Sequence, residues 1–120
     1  MFKKPQDGRV ELVYGTLEML ILRTLQWGPT HGHGIAKSIA QVSEEALKVD
    51  HGSLYPALQR LLQEGWITAA WGVSENNQRA KYYRLTPSGR RQLVAETSRW
   101  ERFVRTIGAV LQPAKSGETK

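Results

Sequence analysis

Residues 51–86 do most to limit what this 120-residue chain can fold into. Leu54, Leu58, Leu61 and Leu62 recur at helical spacing and form an apolar stripe, and Pro56 is tolerated because it falls in the first turn. Ser53 is the expected cap of this helix and Gly65 its stop. Two strands are expected next, at roughly 67–71 and 80–85, separated by a polar tip over residues 73–78. Thr86-Pro87 then reads as a cap followed by proline at the first position of a new helix. A short helix, a glycine stop and a hairpin with a basic second strand, in that order, outline a winged helix.

The flanking segments complete that outline. A first helix is expected over 16–27, with Leu17, Leu20, Ile21, Thr24 and Leu25 inward and Thr16 able to cap, although Glu18 stands one residue early for a capping box. Gly28-Pro29 ends it. A second helix over 32–42 turns Ile35, Ala36, Ile39 and Ala40 inward, with His31 as its cap, and residues 43–49 form the turn of a helix-turn-helix. The last helix should run over 87–111. There Leu93, Thr97, Trp100, Val104, Ile107 and Leu111 alternate steps of four and three, which is a heptad seam widened by Phe103 and Val110. Such a face is buried either on a second copy, the favoured reading, or back on the first helix. The expected fold is therefore α+β: a winged helix-turn-helix of three helices and a two-stranded wing, with a long C-terminal dimerisation helix. Residues 1–11 read as a flexible arm, 12–86 as the DNA-binding domain, 87–111 as the dimerisation helix and 112–120 as a disordered tail.

Charge narrows the function. The formal net charge is +6 and the sequence pI is about 9.9. Between Asn76 and Ala95 there is no acid, yet Arg79, Lys81, Arg84, Arg90 and Arg91 all lie there. A local field of this kind suits a polyanion, or else a basic surface that simply keeps the protein soluble. No cysteine is present, so neither a disulfide framework nor a thiolate metal site is available. No apolar run approaches the ~20 residues that cross a bilayer, and residues 1–8 lack the apolar stretch of a signal peptide. A soluble, cytoplasmic protein is expected.

On the third helix, Ser53, Tyr55, Pro56, Gln59 and Arg60 are the candidates for the exposed face. Ser53 and Tyr55 can donate to phosphate oxygens near a helix start, while Gln59 and Arg60 suit adenine and guanine edges. The competing reading is a half-buried Tyr55 beside an ordinary solvated surface. On the wing, Asn76, Asn77, Gln78, Arg79 and Lys81 can reach phosphates or the minor groove, and alternation puts Arg79, Lys81 and Tyr83 on one face. His31, His33 and His51 are the only histidines, and without cysteine or a convergent carboxylate they argue against a metal site. Asp50-His51-Gly52-Ser53 has the composition of a catalytic triad, but sequence neighbours rarely converge as triads do. Neither an enzyme nor a cofactor is expected. Trp27, Trp66 and Trp71 are expected in the core or at its rim. Trp100 sits mid-seam, where two copies would pack together or sandwich a planar ligand.

Several of these segments together resemble the PadR family of winged-helix transcriptional regulators. They are Gly15-Thr16-Leu17, Gly28-Pro29-Thr30-His31-Gly32, Gly52-Ser53-Leu54-Tyr55-Pro56-Ala57-Leu58, Gly65-Trp66-Ile67, and Tyr82-Tyr83-Arg84-Leu85-Thr86 followed by Gly89-Arg90. The resemblance spans roughly residues 12–111, and its single short terminal helix looks like the smaller branch of the family. It implies a homodimeric repressor whose last helix is exchanged between subunits, acting on a pseudo-palindromic stretch of double-stranded DNA. It also implies DNA contacts from Ser53 and Tyr55, a backbone grip from Asn77, Arg79 and Lys81, and a flat aromatic effector stacked at Trp100. The family usually has tyrosine after His-Gly, where this chain has His33. Two other readings share these features: a nonspecific architectural nucleic-acid binder, and a protein-interaction winged helix that works through the Trp100 helix.

Overall fold

Ile21, Ile35, Leu54, Leu58, Leu61 and Ile67 converge on one core from which solvent is almost fully excluded. The computed structural model describes residues 15–113. It contains α1 (Thr16–Leu25), β1 (Thr30–His31), α2 (Gly32–Val42), α3 (His51–Gln63), β2 (Ile67–Val73), β3 (Arg79–Leu85) and α4 (Pro87–Leu111). The arm expected over residues 1–11, and all of the expected tail beyond residue 113, lie outside the described residues.

The helix starts show which capping signals prevail. His31 caps α2, its Nδ1 accepting from the Gly34 amide at 3.0 Å. The cap of α3 is Asp50 and not Ser53: an Asp50 carboxylate oxygen accepts from the Ser53 amide at 2.8 Å, so the helix begins three residues earlier than a Ser53 cap would place it. Thr16 is likewise the first residue of α1, and Gly15, in the left-handed region at φ 88°, holds the cap position. Thr86 is the expected cap of α4. Its hydroxyl accepts from the Gly89 amide at 2.9 Å and donates to the Gly65 carbonyl at 2.8 Å. One residue thus joins the start of α4 to the end of α3.

The sheet is antiparallel with order β1-β3-β2. β2 pairs with β3 from Ile67↔Leu85 to Val73↔Arg79, and β1 adds Thr30↔Tyr83 and His31↔Tyr82 on the other edge. The expected two-stranded wing therefore carries a third strand at its base. Two residues are too few to produce an alternating pattern in the sequence. The wing turns through Asn77, in the left-handed region at φ 60°, and the Ser74 amide donates to the Gln78 carbonyl at 2.7 Å.

α4 begins inside the domain and leaves it. Gly89 and Leu93 are buried, and the helix packs on α1 before its remaining apolar residues emerge into solvent. Its 25 residues span about 37 Å, which accounts for much of the 64 Å long axis of the molecule. Among the described residues no helix is long and apolar enough to cross a membrane.

Candidate nucleic-acid interface

α3 buries Leu54, Ala57, Leu58 and Leu61, and helical geometry then turns Ser53, Tyr55, Pro56 and Gln59 outward. Tyr55 is 44% exposed. Its ring meets His51 edge-on at 5.5 Å, and its hydroxyl lies over the first turn of α2. A β-carbon on Gly32 would stand 2.7 Å from that hydroxyl oxygen, so glycine is what lets the ring lie there. The half-buried alternative for Tyr55 fits its inner edge, while the rest of the ring faces solvent.

Tyr55 forms one wall of a slot of about 400 Å³ whose other walls are His33 of α2 and the wing residues Trp71, Asn76, Arg79 and Lys81. The expected face of β3 is present, but its character changes along its length. Tyr83 and Leu85 point into the core at the base, while Lys81 and Arg79 continue on the same side into solvent. Burial pushes the Tyr83 phenol above its ordinary pKa, with a smaller contribution from neighbouring Tyr55. The same argument corrects the expectation for Trp71. It shares the inward face of β2 with Ile67, but the core has ended by that height and the indole is 59% exposed. Arg79 lies over it, with the guanidinium carbon 4.4 Å from the ring centroid, and the Lys81 ammonium lies at 5.8 Å. Trp27 is also exposed, past the last turn of α1 with Arg23 over its ring, whereas Trp66 does pack against the core.

One acid, Glu75, stands at the mouth of the slot. A backbone hydrogen bond holds the Glu75 carboxyl below its ordinary pKa, with smaller contributions in the same direction from its neighbours His31 and Lys37. The His31 Nε2 is 3.8 Å from that carboxylate, so the wing tip reaches back to the cap of α2.

Arg60 is not part of this arrangement. Its Nε and Nη2 both reach Glu18 Oε2 of α1 at 2.6 Å, and it lines the groove beside α4 and not the slot at Tyr55. Residues 18 and 60 are far apart in sequence, and nothing local in either one signals the pairing. Asn77 is exposed at the wing tip, and its left-handed backbone makes it a turn-former as well as a candidate contact. Ser53 is exposed within the first turn of α3 and Pro56 just after it.

The terminal helix also departs from expectation at one position. Leu93 is only 4% exposed and belongs to the core of its own domain, so it is not available to a seam between copies. Thr97 is half-buried, and Trp100, Val104, Ile107 and Leu111 are exposed together with Phe103 and Val110. The rings of Trp100 and Phe103 are 5.6 Å apart and flank a largely apolar groove of about 700 Å³ floored by Met19, Leu61 and Trp66. Arg60, Glu18 and Arg99 edge this second concavity. Among the described residues no group of three or more histidines, cysteines or acids converges as a metal site would require.

Comparison with known proteins adds to this geometry. The model of the PadR-like family of transcriptional regulators matches residues 21–95. A transcriptional regulator from Clostridium thermocellum superposes with a TM-score of 0.75 at 30% identity, over 82% of this chain and 95% of that one. A PadR-family transcriptional regulator from Eggerthella lenta gives 0.71 at 30% identity, over 83% and 85% of the respective chains. The negative transcriptional regulator PadR of Bacillus subtilis (strain 168) is 30% identical over 77 residues, which is 64% of this chain and 42% of that protein. This chain thus spans less than half the length of that Bacillus relative.

Proposed function

Since the chain belongs to the PadR-like family of transcriptional regulators, we propose that it is a sequence-specific, homodimeric repressor acting in the cytoplasm on a pseudo-palindromic duplex operator. Members of the family are transcriptional regulators and not enzymes. The observation that carries the reading is the slot in which Tyr55, Arg79 and Lys81 meet: an exposed recognition-helix residue beside two cations on one wing. α3 would enter a major groove with Ser53, Tyr55, Pro56 and Gln59, and Asn77, Arg79 and Lys81 would run along the phosphates. Arg60, paired with Glu18, would instead brace α3 against α1.

The homodimer rests on α4. The apolar stripe of α4 formed by Trp100, Phe103, Val104, Ile107, Val110 and Leu111 is exposed, and a twofold mate would cover it. In this reading residues 12–86 bind DNA and 87–111 pair the subunits, with Thr97, Trp100, Val104, Ile107 and Leu111 on the seam. A flat aromatic effector would stack on Trp100 at the edge of the apolar groove and act by changing the separation of the two α3 helices. Repression would follow from occupancy of a promoter.

Selection from a random duplex pool tests the whole reading. The expected result is a pseudo-palindrome with half-sites separated by about one helical turn, ~34 Å. Salt-dependent binding without enrichment would favour the architectural alternative, and no binding would favour the protein-interaction one. Gly32→Ala supplies a local check. Its β-carbon would displace the Tyr55 hydroxyl, which is the free end of an exposed side chain. The melting temperature should move by no more than about 3 °C while operator affinity falls about tenfold. Unchanged affinity would remove Tyr55 from the interface.

A further inference from the structure

Arg79 and Lys81 are two residues apart on β3 and therefore share a face. Two cations so placed repel each other, and long side chains lose rotamer freedom whenever a ligand fixes them. The arrangement around Trp71 counters both effects. Trp71 stands directly opposite Lys81 in the strand register, and both cations lie over its ring, whose quadrupole attracts positive charge. The indole contributes nothing to the core, since most of it faces solvent. On the reverse face of the wing, the Tyr82 ring lies over Gly72, where a β-carbon would come within 2.9 Å of it. The Tyr82 hydroxyl donates to the Val73 carbonyl at 3.2 Å. The strand carrying the indole is thus pinned from behind, and the plane on which the cations rest is held with it.

We propose that Trp71 is a positioning residue for nucleic-acid binding, its indole holding Arg79 and Lys81 as a preformed two-cation clamp for the phosphodiester backbone. The proposal rests on the duplex-binding reading above. A clamp assembled before binding avoids part of the ordering cost at the moment of contact. The phosphates meet a fixed pair of donors, and the ring itself need not touch the nucleic acid.

The test is a double-mutant cycle on the full chain, with duplex affinity measured across a salt series. Trp71→Leu should weaken binding by about fivefold per wing, and Trp71→Phe by less, because indole is the strongest of the aromatic faces. The slope of log affinity against log salt should be unchanged in Trp71→Leu, since both charges remain, and should flatten by about 0.9 per wing in Arg79→Ala. Combined with Arg79→Ala and Lys81→Ala, the Trp71→Leu loss should largely vanish. A measurement without DNA runs alongside: side-chain protons of Arg79 and Lys81 should be shifted upfield by the ring current in the unmodified protein. Absence of that shift would overturn the clamp, as would an undiminished Trp71→Leu loss when both cations are gone. A Trp71→Leu variant matching the unmodified protein on a duplex that both bind would sink the clamp and leave the operator reading standing. Failure of the unmodified protein to bind any duplex would sink both.

Discussion

Gly89→Ala is expected to lower stability by about 3 kcal/mol, one of the larger effects available to a single methyl group in this protein. The added β-carbon would stand 2.0 Å from the Trp66 carbonyl oxygen and 2.9 Å from both the Trp66 carbonyl carbon and Leu85 Cδ1. Two of these atoms are backbone, and they cannot easily withdraw. The Thr86 amide donates to that same Trp66 carbonyl at 3.0 Å, and the Thr86 hydroxyl ties the neighbouring Gly65 carbonyl. Gly65 in turn occupies the left-handed region at φ 77°. Relief would require tilting α4 away, which would pull Leu93 out of the core. By helix propensity alone the same substitution in a helix would stabilise by about 0.5–1 kcal/mol. The two accounts therefore differ in sign. Calorimetry should find the melting temperature lowered by about 10 °C or more, and an unchanged or raised value would rule out the close approach of α4 to the Trp66 carbonyl.

The second large effect is on binding. Replacing both Arg79 and Lys81 by alanine should reduce duplex affinity by about 100-fold per wing, at ~1.5 kcal/mol for each charge-assisted hydrogen bond removed. The salt slope should flatten by about 1.8 per wing, because two phosphates are no longer neutralised. Both side chains are exposed, so the fold should be unaffected. The loss should be equal on operator and random duplex, because phosphate contacts carry no sequence information. Gln59→Ala provides the contrast: on the exposed face of α3 it should weaken operator binding alone and leave the slope unchanged. Anisotropy of labelled duplexes separates the cases. A loss confined to the operator with an unaltered slope would remove Arg79 and Lys81 from the backbone.

Local signals in the chain were legible wherever the physics is local. Gly65, in the left-handed region, and Thr86-Pro87, a cap followed by proline, lie at the boundaries the structure has, whereas α1 ends at Leu25, two residues short of the expected end before Gly28-Pro29. The bounds of α2 and α4 follow from a histidine cap, a threonine cap and apolar spacing. Competition between two local signals was less legible. Asp50 and Ser53 are both good caps, and it is the aspartate whose side chain accepts from an amide of the first turn. β1 is too short to carry a pattern, and its pairing with β3 exists only because the fold brings residues 30 and 83 together.

The candidate site divides along the same line. Sequence alone determined that a basic wing follows an apolar helix, that Tyr55 and Gln59 share its outer face, and that the last helix carries an apolar stripe. Periodicity reports which residues share a face, because strand and helix geometry repeat over a few residues. What covers that face depends on segments distant in the chain. Only the tertiary structure decided that Leu93 is inside the domain while Trp100 is outside, and that Glu18 engages Arg60. It likewise decided that the core ends below Trp71, leaving the indole for Arg79 and Lys81. Burial and long-range ion pairing depend on where the other elements come to rest, and no short window of sequence contains that information.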